Sequence, residues 1–324
     1  MGRFDDELER RAREMENLLG DLHDLLPYFE IKTVTNIYVY GDGRIQIDDF
    51  EKGTYESELK LSPADRMRII NSLAKVSETP IDKWERPTLE TIIPKYNVRT
   101  TAIVPPWVQS PEITFRRPAD KVFTLEEYLR DGRITKELYD KIVLHIQKRS
   151  NIVISGSTGS GKTTFTNACI EKMREFTPDD RFYIIEDTPE LQCRSKNKTQ
   201  LYIRKEQAIP AIQTALRWTP KRIIFGELRS GEITVELLEA WNTGHPGNIT
   251  TIHADNASST LSRLEGLLRQ VIKGTLPDLG DSITLIVHLA NRPGFGPFID
   301  EVLTVKEIRG GVKNDVDESS IYLD

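Results

Sequence analysis

Eight consecutive residues, Gly156-Ser157-Thr158-Gly159-Ser160-Gly161-Lys162-Thr163, have the spacing G-x-x-x-x-G-K-[ST] that a phosphate chain requires. Glycines let the backbone curl until successive N–H groups point inward, and a helix beginning near Lys162 turns its positive dipole end toward the same point. The setting agrees with the motif, because apolar Asn151 to Ser155 precedes it and helix-compatible Thr164 to Arg174 follows. Lys162 is expected to bridge β- and γ-phosphates, and Thr163 to offer its hydroxyl oxygen to Mg²⁺. The residues expected to hold a nucleotide are therefore Gly156, Ser157, Thr158, Gly159, Ser160, Gly161, Lys162, Thr163 and Thr164.

Acids that could serve the same chemistry stand at the ends of two apolar runs. One ends in Ile184-Ile185-Glu186-Asp187, with Glu190 three residues on, and the other in Ile224-Phe225-Gly226-Glu227. The carboxyl ends of strands form the mouth of an open α/β sheet, where a carboxylate can order the hydration shell of Mg²⁺ or take a proton from attacking water. His245 and His253 flank a further apolar run and are expected to reach one edge of the sheet; too few partners surround them for zinc. His253 is expected to donate to the γ-phosphate, with a satisfied structural histidine as the bland alternative. Arginines able to neutralise phosphoryl oxygens are Arg99, Arg116 and Arg117 early in the chain, and Arg217 and Arg229 later.

The elements that must position these groups divide into two grammars. Runs at Ile152 to Ile154, Phe182 to Ile185, Ile223 to Phe225, Ile249 to Ile252 and Ile283 to Leu289 alternate with helical periods, which predicts βαβ units and a mainly parallel sheet. Val302 to Ile308 is expected to add a last strand. Before Pro118 the pattern is different: a hairpin from Val34 to Ile47 around Gly41-Asp42-Gly43, then a helix capped at Ser62-Pro63. Met67, Ile70, Leu73 and Ala74 form that helix's buried face, and strands follow at Leu89 to Ile93, Val98 to Val104 and Glu112 to Phe115. The expected organisation is a charged amphipathic helix over 1–20, an α+β domain over 21–118, a linker over 119–123, an α/β nucleotide domain over 124–312 and a loose acidic tail over 313–324. The first helix should pack its sparse apolar edge on a partner or fray.

Composition sets the outer limits. In 324 residues there are 44 Lys and Arg against 50 Asp and Glu, a net charge of −6, so the balance disfavours a basic coat for nucleic-acid backbones and a nucleic-acid translocase alike. The apolar runs are too short to span a bilayer and the polar start lacks a signal-peptide core, which places the expected protein in the cytoplasm. Cys169 and Cys193 have neither CxxC spacing nor a histidine at ligand distance in sequence, and both read as packed thiols.

Four blocks together resemble one family, the ATPases of type II and type IV secretion. They are Gly156 to Thr163, Ile185-Glu186-Asp187-Thr188-Pro189-Glu190, Arg222-Ile223-Ile224-Phe225-Gly226-Glu227-Leu228-Arg229, and Gly244-His245-Pro246-Gly247 through Thr251-Ile252-His253-Ala254. These look like that family's Walker A, acidic box, atypical Walker B and histidine box, in order. Two cysteines cannot build the four-cysteine module common in type II secretion ATPases, and no retraction-motor signature follows Ala257, so the chain looks most like the ATPase of conjugative and type IV secretion systems. The family's usual Pro-Asp pair before the Walker B strand is replaced by Pro220-Lys221.

The resemblance implies a RecA-like P-loop domain behind a smaller α+β domain. It also implies a homo-hexameric ring, peripheral at the cytoplasmic face of the bacterial inner membrane, working with the other components of a secretion or conjugation apparatus. ATP and Mg²⁺ are the implied cofactors, and no sequence-specific nucleic-acid binding is expected. Carried over residue by residue, Lys162 and Thr163 hold phosphates and metal, Glu186 polarises the attacking water, Glu227 supports metal and γ-phosphate, and His253 senses that phosphate. Arg99 and Arg116 would reach in from the first domain. The rival readings are a type II secretion or type IV pilus motor, and an ATP-gated scaffold with little turnover.

Overall fold

The computed structural model describes residues 2–49, 51–117, 122–292 and 295–311. The chain divides into two compact units, Met1–Asp120 and Lys121–Asp324. Most of the anticipated linker and the whole anticipated acidic tail lie outside the described residues.

The first unit opens with helices α1 (Gly2–Asp21) and α2 (Leu26–Glu30), then strands β1 (Val34–Val39), β2 (Arg44–Asp49) and β3 (Gly53–Lys60). Helix α3 (Pro63–Val76) and strands β4 (Thr88–Ile93), β5 (Val98–Ile103) and β6 (Glu112–Arg116) complete it. The sheet is antiparallel throughout, in the order β3-β2-β1-β6-β5-β4. Strand β3 was not anticipated, since Thr54 to Lys60 is polar and its burial is slight. Helix α3 starts where its cap demands: the Ser62 hydroxyl accepts from Asp65 N at 3.1 Å while Asp65 reaches back to Ser62 N. Helix α1 corrects the expectation of a frayed or partner-seeking segment. Leu18 is buried in this unit's own core with Leu22, Leu25, Phe29, Ile69 and Leu73, with Met15 packed against it, so the C-terminal part of the apolar edge is covered within the same fold while Leu8 is exposed. Buried Arg66 on α3 donates to Leu61 O, Gly41 O and Ser110 Oγ, which ties both ends of the sheet's loops to the helix.

The second unit begins with α4 (Leu125–Arg130) and α5 (Lys136–Gln147), followed by β7 (Ile152–Gly156), α6 (Lys162–Phe176), β8 (Phe182–Glu186) and β9 (Lys198–Tyr202). Then come α7 (Ala208–Trp218), β10 (Arg222–Glu227), α8 (Gly231–Asn242), β11 (Ile249–Ile252), α9 (Ala257–Arg269) and α10 (Leu279–Ser282). A hairpin, β12 (Leu285–Arg292) and β13 (Gly296–Thr304), precedes α11 (Val305–Arg309). Seven strands run β13-β12-β7-β11-β10-β8-β9, parallel except for the β12–β13 hairpin. Alternation along each strand splits the core: Ile152, Ile154, Phe182, Ile184 and Ile224 pack on the α6 side, while Val153, Tyr183, Ile185 and Ile223 pack on the α8 and α9 side. The mainly parallel sheet, covered on both faces, is the fold that the apolar runs predicted.

Two elements differ from expectation. The segment after Thr304 is helical, because Thr304 Oγ1 accepts from Glu307 N at 3.1 Å and Glu307 returns a bond to Thr304 N at 2.6 Å, a capping pair that stops the strand. Strand β9 adds an edge beside β8 that its polar sequence did not announce. Cys169 and Cys193 are buried free thiols. No helix among the described residues is long and apolar enough to cross a membrane.

Candidate active site

The phosphate loop joins β7 to α6 and needs its glycines for different reasons. A Cβ on Gly156 would lie 2.5 Å from Leu289 O, and Gly161, at φ 79°, caps α6 in the left-handed region. With the loop so formed, Lys162 folds over it. Its Nζ donates to Gly156 O at 2.9 Å and Ser157 O at 2.7 Å, and stands 3.2 Å from His253 Nδ1. An ammonium group only donates, so Nδ1 accepts and the His253 proton sits on Nε2, which donates to Glu227 Oε1 at 2.8 Å. Lysine, histidine and glutamate thus form one chain from the α6 N-terminus to the end of β10.

The placement of Glu227 depends on an irregularity. The β10–β11 register pairs Phe225 with Thr250 but Glu227 with Thr251, and this bulge accompanies bonds from Thr251 Oγ1 to Gly226 O and from Leu228 N to Thr251 O. Arg229 ion-pairs with both Glu227 and Asp187, so one guanidinium joins the ends of β10 and β8.

The segment after β8 sends its two glutamates to different places. Glu186, expected to polarise water, is turned inward and has its oxygens engaged: Oε2 accepts from Glu190 N and Leu191 N, both at 2.9 Å, and Oε1 accepts from Gln200 Nε2 at 2.7 Å. Burial pushes its carboxyl up to about 7, against the pull of those three donors. The acid that reaches the loop is Glu190, whose Oε2 accepts from Thr163 Oγ1 at 3.1 Å. Asn167 on α6 fastens the same segment, donating to Glu190 O at 3.1 Å and accepting from Gln192 N at 2.8 Å. A residue noted in sequence only as a neighbouring acid is therefore the one brought to Thr163.

His245 is also corrected. It precedes β11 and lies 3.1 Å from Thr243 Oγ1, whereas His253 follows β11, so the strand separates the two histidines instead of bringing them to one edge. A third histidine, His288 on β12, was missed: its Nδ1 is 3.1 Å from Ser155 Oγ behind the loop, and burial lowers its pKa. One histidine in an apolar strand carries no sequence signal beyond its type. Arg99 and Arg116 are Cα partners on β5 and β6 of the first unit, and Arg99 stands 3.9 Å from the Glu90 carboxylate. Arg117 donates to Ile31 O, and Arg217 is exposed in the last turn of α7.

Among the described residues no three His, Cys, Asp or Glu side chains gather as a metal cage. What the loop offers is hard oxygen, the Thr163 hydroxyl with the Glu190 carboxylate beside it. That fits Mg²⁺, which keeps its waters and binds through one or two protein oxygens plus phosphate.

Residues 54–292 match the family described as type II/IV secretion system protein. The conjugal transfer protein TrbB of Rhizobium radiobacter is 36% identical over 302 residues, covering 93% of this chain and 92% of that protein. The type IV secretion system protein VirB11 of Bartonella henselae is 28% identical over 295 residues, covering 78% and 79%. Among solved structures, the Legionella pneumophila ATPase DotB superposes with a TM-score of 0.64 at 21% identity, covering 89% of this chain and 82% of that one, a likeness of fold.

Proposed function

The chain belongs to the type II/IV secretion system protein family and is a P-loop ATP hydrolase serving type IV secretion, and from that premise we propose a Mg²⁺-dependent motor of a conjugative apparatus. The observation that carries this reading is the convergence on consecutive residues of the loop: Lys162 faces His253 and, through it, Glu227, while Thr163 faces Glu190.

Phosphoryl transfer asks mainly for positioning and for charge compensation. Backbone N–H groups of Gly159 to Thr164 hold the β-phosphate, and the Lys162 ammonium exchanges its loop carbonyls for β- and γ-oxygens. Thr163 would hold Mg²⁺, which would supply neutralisation of phosphate charge. Relieved of Lys162, the His253 ring stays oriented by Glu227 beside the γ-phosphate, and a bond to that phosphate requires the proton on the ring nitrogen that faces it. Glu190 takes the part of polarising the attacking water, and Glu186 is a positioning residue that fixes the segment carrying it.

The protein works as a homo-hexamer, peripheral at the cytoplasmic face of the inner membrane beside other components of the apparatus. Arg99 and Arg116 contact the γ-phosphate and convert its loss into motion of the first unit. The test is Mg-ATP hydrolysis as a function of protein concentration, with Glu227→Gln as the blank. Specific activity that rises and then levels is expected, since a ring completes its sites on assembly. Concentration-independent activity would sink the ring, and ATP binding without any turnover would favour a gated scaffold.

A further inference from the structure

The phosphate reading leaves the base of the nucleotide unplaced, and the strand order says on which side it lies. Groups at the phosphate end all arrive from one flank of β7: His253 follows β11, Glu227 ends β10 and Glu190 follows β8. The opposite flank is the β12–β13 hairpin, which presses on the loop along its length. Leu289 O lies against Gly156, Asn291 Nδ2 donates to Gly159 O at 3.3 Å, and Pro297 Cβ is 3.1 Å from the Cβ position of Gly161. A nucleotide whose γ-phosphate meets Lys162 and His253 therefore carries its ribose and base toward this hairpin.

Phe295 stands there with 39% of its surface exposed. The Arg133 guanidinium lies over its ring, Cζ to centroid 5.6 Å. Arg133 comes from the turn between α4 and α5 and is held on two sides: its Nη1 donates to Pro297 O at 2.9 Å and its carbonyl accepts from Ile299 N at 2.8 Å. The cation over the ring is thus anchored through Pro297, the same residue that lies against the Cβ position of Gly161. An aromatic face and a guanidinium plane are the two side-chain surfaces on which a base stacks in water.

We propose that Phe295 and Arg133 form the shelf on which the purine of the nucleotide stacks, giving the site its preference for a nucleoside triphosphate over a bare triphosphate chain. The shelf rests on the nucleotide reading of the loop. It reads the base by its face, so its contribution follows ring area.

Binding of ATP and of inorganic tripolyphosphate, each with Mg²⁺, separates the shelf from the phosphate cradle. Phe295→Ala is expected to weaken ATP about tenfold while leaving tripolyphosphate within about twofold, and Phe295→Tyr to restore ATP. In Phe295→Trp the added indole fluorescence is quenched by ATP and not by tripolyphosphate. Equal loss of both ligands in Phe295→Ala would make the hairpin a mere brace of the loop and overturn the shelf. Unchanged binding of both would overturn it alone, whereas wild-type protein that binds neither ligand overturns the nucleotide reading and the shelf with it.

Discussion

His253 Nε2 lies 2.8 Å from Glu227 Oε1 while its Nδ1 faces Lys162 Nζ at 3.2 Å, so one imidazole joins the loop lysine to the acid at the end of β10. On the proposed function, arrival of a phosphate chain is expected to draw Lys162 away from Nδ1, so that the ring registers nucleotide through the loss of a donor while Glu227 holds it in place.

Removing the histidine or the acid of this chain should harm chemistry more than binding. Glu227→Gln and His253→Ala are each expected to lower kcat about 10²-fold or more, the usual scale for a lost transition-state contact, with ATP affinity within a few-fold. Lys162→Ala should instead abolish nucleotide binding. Steady-state hydrolysis set beside equilibrium nucleotide binding distinguishes the two patterns, and a Glu227→Gln protein that turns over normally would remove the acid from the mechanism.

Glu190 and Glu186 should separate by phenotype although four residues apart. Glu190→Gln is expected to cut kcat about 10²-fold in a protein of native stability, because its carboxylate meets Thr163 at the rim of the loop. Glu186→Ala takes the acceptor from two backbone N–H groups and one of two acceptors from the Gln200 amide, costing about 2–4 kcal/mol of folding stability. Urea unfolding and hydrolysis measured on both variants provide the check; equal stability of Glu186→Ala and wild type would refute the positioning role.

The raised pKa of Glu186 gives stability a pH dependence of definite sign. Burial lifts the carboxyl from its ordinary 4.5 to about 7, so between those values the folded protein holds a proton that the unfolded chain has released. This group's contribution is complete below about pH 4.5 and is lost as pH rises through 7, at a cost of about 3 kcal/mol across the window. Unfolding midpoints of wild type minus Glu186→Gln, followed from pH 4.5 to 8, should fall along that interval. A flat difference would contradict the shift.

The buried guanidinium of Arg222 predicts a purely structural lesion. Its three nitrogens donate to Asp180, Gly247 O and Thr177 Oγ1, at the end of β10 away from the phosphate loop. Arg222→Ala is expected to cost about 3–5 kcal/mol, the scale for breaking a buried ion pair. Loss of thermal stability together with unchanged nucleotide affinity in the protein that remains folded is the outcome to look for.

Much of the fold and the phosphate loop was legible in the chain alone because the signals are local. Gly156 to Thr163 must curl, Ile152 to Ile154 must be strand, and Ser62 with Asp65 must start a helix, whatever surrounds them. Periodicity also set the succession of strands and helices, and with it the mainly parallel sheet.

Tertiary structure alone decided which of several chemically equivalent residues meet. Glu186 and Glu190 are both acids past an apolar strand, and only the turn between them, fastened by Asn167 and Gln200, sends one inward and the other to Thr163. His245 and His253 look alike in sequence, yet a four-residue strand carries them to opposite ends of the sheet. The β12–β13 hairpin brings Asn291 against Gly159 in a loop more than 130 residues earlier, a meeting set by strand pairing across the sheet. Sequence spacing records what the next turn of chain can do, whereas such long-range contacts exist only once the hydrophobic core has closed.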